Sequence, residues 1–185
     1  PKTPSKLGVR AFLNTIKDAL ALQEPDKELA DLSPLSDNLG HVHYRFGQTH
    51  EGIPIWSSRL HVHLDKTGQI YVINGDTYPT PDKAANPTLD ARAAEKIARQ
   101  MANRPLAQAQ SQLVWFPAED DLHLAWKVDL RDGFAFYSTY IVDATTGRVF
   151  IYFSNLQTAY PGTYTAGTAT TSLSSPVTVP LYRYG

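Results

Sequence analysis

Val9, Phe12, Leu13, Ile16 and Leu20 recur at three- and four-residue intervals, with Arg10, Lys17 and Asp18 falling between them. That spacing lines up one apolar face at the period of a helix, and it predicts an amphipathic helix over Ser5–Leu22. Gln23-Glu24-Pro25-Asp26 supplies the stop, because proline cannot continue a hydrogen-bonded helix. A polar connection containing Pro34 follows, and then the period changes. His41–Gly47, Ile55–Leu64 and Gln69–Ile73 alternate in polarity and are rich in β-branched and aromatic residues, which predicts three antiparallel strands. The turns between them, Gln48–Pro54 with Gly52 and Asp65–Gly68, are short, so neighbours in sequence are expected to be neighbours in the sheet.

Asp76–Pro87 holds three prolines and polar filling, the composition of a linker. Beyond it Thr88 offers a cap for a helix lined by Leu89, Ala93, Ile97 and Met101 and ending at Asn103-Arg104-Pro105. Gln112–Phe116 then reads as a strand, and Leu122, Leu124, Trp126, Val128 and Leu130 alternate onto one face of the next. Phe134–Val142 and Arg148–Phe153 complete the set, joined by Asp143–Gly147 with Gly147 placed for a left-handed position. The architecture therefore repeats: a helix and then a meander, each with a late hairpin whose turn begins with Asp and ends with Thr-Gly. This predicts an α+β fold of two small helix-plus-antiparallel-sheet domains, 1–78 and 88–157, joined by a linker at 79–87, each sheet leaving one face wet. The last stretch, 158–185, is dense in Thr, Ser, Gly and Pro, and only Val177–Leu181 reads as an edge strand. It is expected to be an extended tail that takes its order from whatever it lies against.

Charge changes the picture by exclusion. The 185 residues carry 17 Lys and Arg against 18 Asp and Glu, a formal net charge of -1, so no field holds nucleic acid or an anionic membrane. No apolar run approaches the roughly 20 residues that span a bilayer. The absence of cysteine removes disulfides, thiolate nucleophiles and thiolate metal sites. Histidine is the remaining chemistry. His41/His43 and His61/His63 are each HxH on a strand, so each pair points its rings to one face. Such imidazoles could hold zinc or copper, but no carboxylate motif accompanies them, and a solvated sheet face is the better reading. His50-Glu51 begins like the H-E-x-x-H helix, yet Pro54 stands where the second histidine belongs. Nucleophile-elbow and phosphate-loop motifs do not occur. Glu119-Asp120-Asp121 sits where a turn belongs, and Tyr137, Tyr140, Phe150, Tyr152 and Phe153 read as sheet residues, some of them available for docking. No catalytic set and no metal set is expected in this chain.

The quoted segments also resemble a known family. Phe12-Leu13, His41–Gln48, Gly52–Ile55, His61–Asp65, Gly68 and Val72–Gly75 look like the fungalysin/thermolysin propeptide (FTP) domain. Ala93–Ala98, Leu124–Val128 and Tyr140–Val149 resemble a PepSY domain. FTP followed by PepSY is the order in the prosegment of thermolysin-like (M4) zinc metalloproteases, which implies two cystatin-like domains and a secreted precursor whose signal has been removed. It further implies an intramolecular chaperone and inhibitor, whose partner is the cognate metalloprotease catalytic domain, carrying zinc and calcium that this chain itself would not bind. The resemblance places Leu156, Gln157, Thr158, Ala159 and Tyr160 as the inhibitory and processing segment, near the partner's zinc. His41, His43, Gln48, His61, His63, Tyr137 and Tyr140 become candidate partner contacts. Ser172–Leu181 is similar to the start of a mature protease, so a processing site is expected between about Leu156 and Ala166. Two other readings stay open at this level, a stand-alone exported binding module of the same fold and a metal-binding protein that uses the HxH strands.

Overall fold

The computed structural model describes residues 6–156, 165–170 and 176–181. It is α+β. The first helix, α1 (Lys6–Thr15), presents Val9 and Leu13 to the core, both fully buried. It stops about two turns before the expected end at Leu22. Asn14 Nδ2 donates to the Arg10 carbonyl and Thr15 Oγ1 to the Phe12 carbonyl, and such side-chain bonds compete with the helical ladder. The chain continues in turns to Ala21, whose φ is +55°. A single turn, α2 (Pro25–Glu28), leads into β1 (Leu29–Ser36).

That strand replaces the expected polar connection. Pro34 is tolerated because β1 is an edge strand and the register shifts between Leu32 and Leu35. The Arg45 guanidinium fastens the irregular stretch by donating twice to the Ser33 carbonyl, at 3.0 and 2.7 Å. The remaining strands are β2 (Val42–His50), the short β3 (Ile53–Pro54), β4 (Arg59–Leu64) and β5 (Ile70–Asp76), in the order β1-β2-β4-β5 with β3 on β2. Phe46, Leu60, Val62 and Leu64 face α1 and bury against Val9, Leu13, Leu22 and Leu29. At Gly75 (φ +129°) the chains run too close for a side chain: a Cβ would lie 1.9 Å from the Arg59 carbonyl oxygen.

The second sheet has the order β6-β7-β8-β9, from β6 (Gln108–Ala118), β7 (Asp121–Asp132), β8 (Phe136–Asp143) and β9 (Val149–Ser154). One face is covered by α3 (Ala91–Ala102). Asp90 rather than Thr88 caps this helix, accepting the Ala93 N–H at 2.8 Å. Its buried face is Ala94 and Ala98 with Ile97 beside them, while Met101 is half exposed. Small alanines let the helix sit close to Val128, Leu130, Tyr140 and Val142. The opposite face is not simply wet. Val114, Phe116, Ala125 and Ile141 are buried there, beneath Phe150 and Trp56, the latter from the turn between β3 and β4. Gly147 (φ +78°) ends the Asp143 turn, where the carboxylate accepts the Thr145 and Thr146 N–H groups.

Residues 1–155 form one compact unit. The two sheets meet where β3 runs into β6: Ile55 bridges Trp115 in parallel, the Trp56 N–H donates to the Trp115 carbonyl at 2.7 Å, and Trp115 Nε1 donates to the His50 carbonyl. Ile55 and Trp115, each 1 % exposed, lead a cluster with Leu122, Leu124 and Ala144. The second unit, residues 156–185, contains a two-stranded antiparallel sheet, β10 (Thr165–Thr170) with β11 (Pro176–Leu181), in a register that sets Thr165 against Leu181. The tail thus supplies a partner for its own strand, where a lone extended segment was expected. Among the described residues, no helix is long and apolar enough to cross a membrane.

Candidate functional site

The period-2 alternation of β2 and β4 turns His43, His61 and His63 to the face away from α1, and His41, just before β2, joins them through Asp37. Register places His43 directly opposite His63, and their Nδ1 atoms lie 2.7 Å apart. One of those nitrogens must donate and the other accept. His63 Nε2 lies 2.8 Å from Asn74 Oδ1, and Asp37 Oδ2 lies 3.4 Å from His41 Nδ1 and 3.5 Å from His43 Nε2. The short contact leaves room for one hydrogen between the two Nδ1 atoms. The His41 and Leu39 N–H groups hold the Asp37 carboxyl below its usual value, the former most. Burial, then the positive charges of His63, Arg45, Arg59 and His43, lowers the pKa of His61. Among the described residues no group of three or more His, Asp or Glu is placed to hold a metal ion.

Gln48 sits elsewhere. It is 1 % exposed, and its amide both donates to the Tyr78 carbonyl at 2.7 Å and accepts the Tyr78 N–H at 2.8 Å. It acts as a two-point clamp on the start of the proline-rich segment. Buried Glu28 makes a second clamp, accepting the Thr80 hydroxyl and the Gln23 and Glu24 N–H groups. Glu51 accepts the Ala85 N–H, and the Lys83 ammonium pairs with Asp121 at 2.6 Å. Residues 77–90 form no regular element, yet they are strapped down at nearly every turn.

Tyr140 is 4 % exposed and stacks on Tyr152 with ring centroids 5.7 Å apart. Burial, then the neighbouring Tyr152, raises its pKa. Tyr137 is half-buried, with the Arg131 guanidinium 4.2 Å above its ring. At this end of β8 the main chain leaves the sheet. The Asn155 N–H donates to the Tyr137 carbonyl at 2.8 Å, and Asn155 Nδ2 donates to Thr139 Oγ1. Thr139 in turn donates to Asp129, which pairs with Lys127. A ladder of polar side chains therefore fixes the residue just before Leu156, which is itself half-buried. Gln157, Thr158, Ala159 and Tyr160 lie outside the described residues.

Residues 32–77 match the model of the Fungalysin/Thermolysin Propeptide Motif. This chain carries that propeptide motif. The Thermostable neutral protease NprT of Geobacillus stearothermophilus is 31% identical over 153 residues, covering 72% of this chain and 27% of that protein. Thermolysin of Alicyclobacillus acidocaldarius subsp. acidocaldarius is 28% identical over 194 residues, covering 94% of this chain and 34% of its own. The chain thus spans about a quarter to a third of the length of the curated relatives it matches. Among solved structures, the C-terminal domain of YpeB from Bacillus megaterium aligns with 83% of this chain and 67% of its own at 12% identity, with a TM-score of 0.44.

The propeptide motif coincides with the strands of the first sheet, from within β1 to the residue after β5. It contains all four face histidines, the Gln48 clamp and the Gly75 close approach, and excludes α1. Of the residues singled out from sequence, the fold brings the four histidines together and separates them from Tyr137 and Tyr140 on the second sheet. The expected strand Phe134–Val142 begins only at Phe136 and the expected strand Ile55–Leu64 only at Arg59, so Phe134 and Trp56 lie in turns; neither they nor Asn155 stand out in the sequence as site residues. A signal existed for Phe134 alone: an aromatic residue in the Asp132-Gly133 turn, where polar residues belong.

Proposed function

We propose that this chain is the propeptide of a secreted thermolysin-like metalloprotease, non-catalytic itself. It acts as intramolecular chaperone and active-site inhibitor until autocleavage. The observation that carries this reading is the propeptide motif at 32–77 together with the alignment of most of the chain to a minor part of NprT and thermolysin. In this reading 1–78 is the FTP part and 88–157 a PepSY part. Leu156–Tyr160 is the inhibitory and processing segment, and the partner catalytic domain carries the zinc and calcium. Two features of the fold support it. The Asn155 ladder gives the segment that follows a fixed point of departure, and an extended peptide leaving such a point can pair with a cleft strand through main-chain hydrogen bonds. The strapped connection between the sheets keeps the whole unit available as a template.

The chaperone role is tested by refolding the denatured cognate catalytic domain from urea with and without the 185-residue chain supplied in trans. The refolding rate, read by circular dichroism and by activity after proteolytic removal of the chain, is expected to rise at least about tenfold, a lowering of the folding barrier by roughly 1.4 kcal/mol or more. Equal rates with and without the chain contradict the role.

A further inference from the structure

The two ends of the second sheet differ in kind. At one end the β6–β7 turn is Glu119-Asp120 and the β8–β9 turn is Asp143–Gly147, both polar as hairpin turns usually are. At the other end lie the β7–β8 turn and the entry to β6, and there two large apolar side chains stand in solvent: Phe134 is 102% exposed and Leu106 is 94% exposed. Register brings them to one place. Gln108 pairs with Arg131, and Asp132 pairs with Phe136, so the residues just before β6 and the turn after β7 share an edge of the unit. Asn155, bonded to the Tyr137 carbonyl, puts the departure of the chain at that same edge.

The two knobs are flanked by arginines lying over aromatic rings. The Arg131 guanidinium lies 4.2 Å over the Tyr137 ring, and Arg104 lies 5.4 Å over the Phe136 ring while pairing with Asp132 at 3.6 Å. Stacked arginines lose little freedom on binding, and aromatic and arginine side chains dominate interface hot spots. Apolar groups this exposed, beside such stacks and in a turn that needs no apolar residue, are the composition of an anchor site.

We propose that Phe134 and Leu106 anchor this edge to the thermolysin-like catalytic domain, inserting into apolar pockets beside its cleft. The proposal rests on the propeptide reading and adds the surface by which the partner is held. The choice of occupant follows from topology. The chain leaves the unit of residues 1–155 at this edge, bonded through Asn155 to Tyr137, so a catalytic domain joined through the segment that follows is tethered from here rather than from the opposite end. The histidine face is on the other sheet and the polar hairpin turns are at the opposite end of this one.

The test measures binding of the mature cognate metalloprotease to the immobilised 185-residue chain by interferometry. Both substituted side chains are wholly exposed, so the double variant Phe134→Ser/Leu106→Ser should melt within a degree of the parent. Its Kd should be weaker by about 30-fold or more, the scale of two anchor residues lost. Leu39→Ser, at a residue 68% exposed in the first sheet's β1–β2 turn, should bind as the parent does. If the parent binds and the double variant binds equally, or if Leu39→Ser weakens binding as much, the anchor is refuted while the propeptide reading stands. No binding by the parent overturns both.

Discussion

Replacing Gln48 by leucine tests how the connection between the sheets is held. The two side chains are of similar size, so the change leaves no large cavity; what it removes is the pair of hydrogen bonds at 2.7 and 2.8 Å to the Tyr78 backbone. Each is worth a net ~1 kcal/mol, and the Tyr78 N–H and carbonyl left without partners in a part-buried place add a further desolvation cost. The total is about 2–4 kcal/mol, which for a unit of this size lowers the melting temperature by roughly 5–12 °C. Gln48→Glu is the informative companion. A carboxylate still accepts the Tyr78 N–H but turns an oxygen toward the Tyr78 carbonyl, so this variant should be no more stable than leucine. Thermal and urea unfolding followed by circular dichroism give the stability, and amide hydrogen exchange at Tyr78 and Thr80 shows whether the loss is local to the clamp. A leucine variant that melts within a degree of the parent, with Tyr78 exchange unchanged, would refute the claim that this amide holds the segment.

Trp126→Ala removes an indole packed between two core clusters and its bond to the Leu89 carbonyl, and should cost about 3 to 5 kcal/mol in urea unfolding; an unchanged midpoint would show that this face is not core. His61 has a folded pKa below its unfolded value near 6.5, so the unfolded chain binds more protons just below that pH and stability falls as pH drops from 7 through the window beneath 6.5. Asp37, with its carboxyl depressed, loses its contribution only at lower pH, as that group protonates. His61→Gln should therefore flatten the decline in urea midpoint between pH 7 and 5.5, and an identical decline in the variant would remove His61 as a cause.

The histidine face could be read from sequence because alternation is a local property: HxH on a strand has its rings on one side whatever the strand packs against. β1 could not, since its proline and bulge erase the alternation, and what makes Leu29–Ser36 a strand is its pairing with β2 on either side of the bulge, tied there by the Arg45 guanidinium. Helix α1 was read too long because apolar spacing continues past Thr15, while the side-chain bonds of Asn14 and Thr15 that compete with the ladder leave no mark in hydrophobicity. Gln48 is the clearest limit. A polar residue at the end of an alternating strand looks solvated, and its burial depends on a backbone segment 30 residues away. Asn155 and Phe134 belong to the same class, since what they signify depends on which strands share an edge.

The central claim is that this chain holds a thermolysin-like protease inactive. Titrating the chain against the mature cognate metalloprotease and following peptide hydrolysis measures it directly. Most activity should be lost at micromolar chain or below, with recovery as the chain is itself cleaved. Full activity at micromolar chain would contradict it.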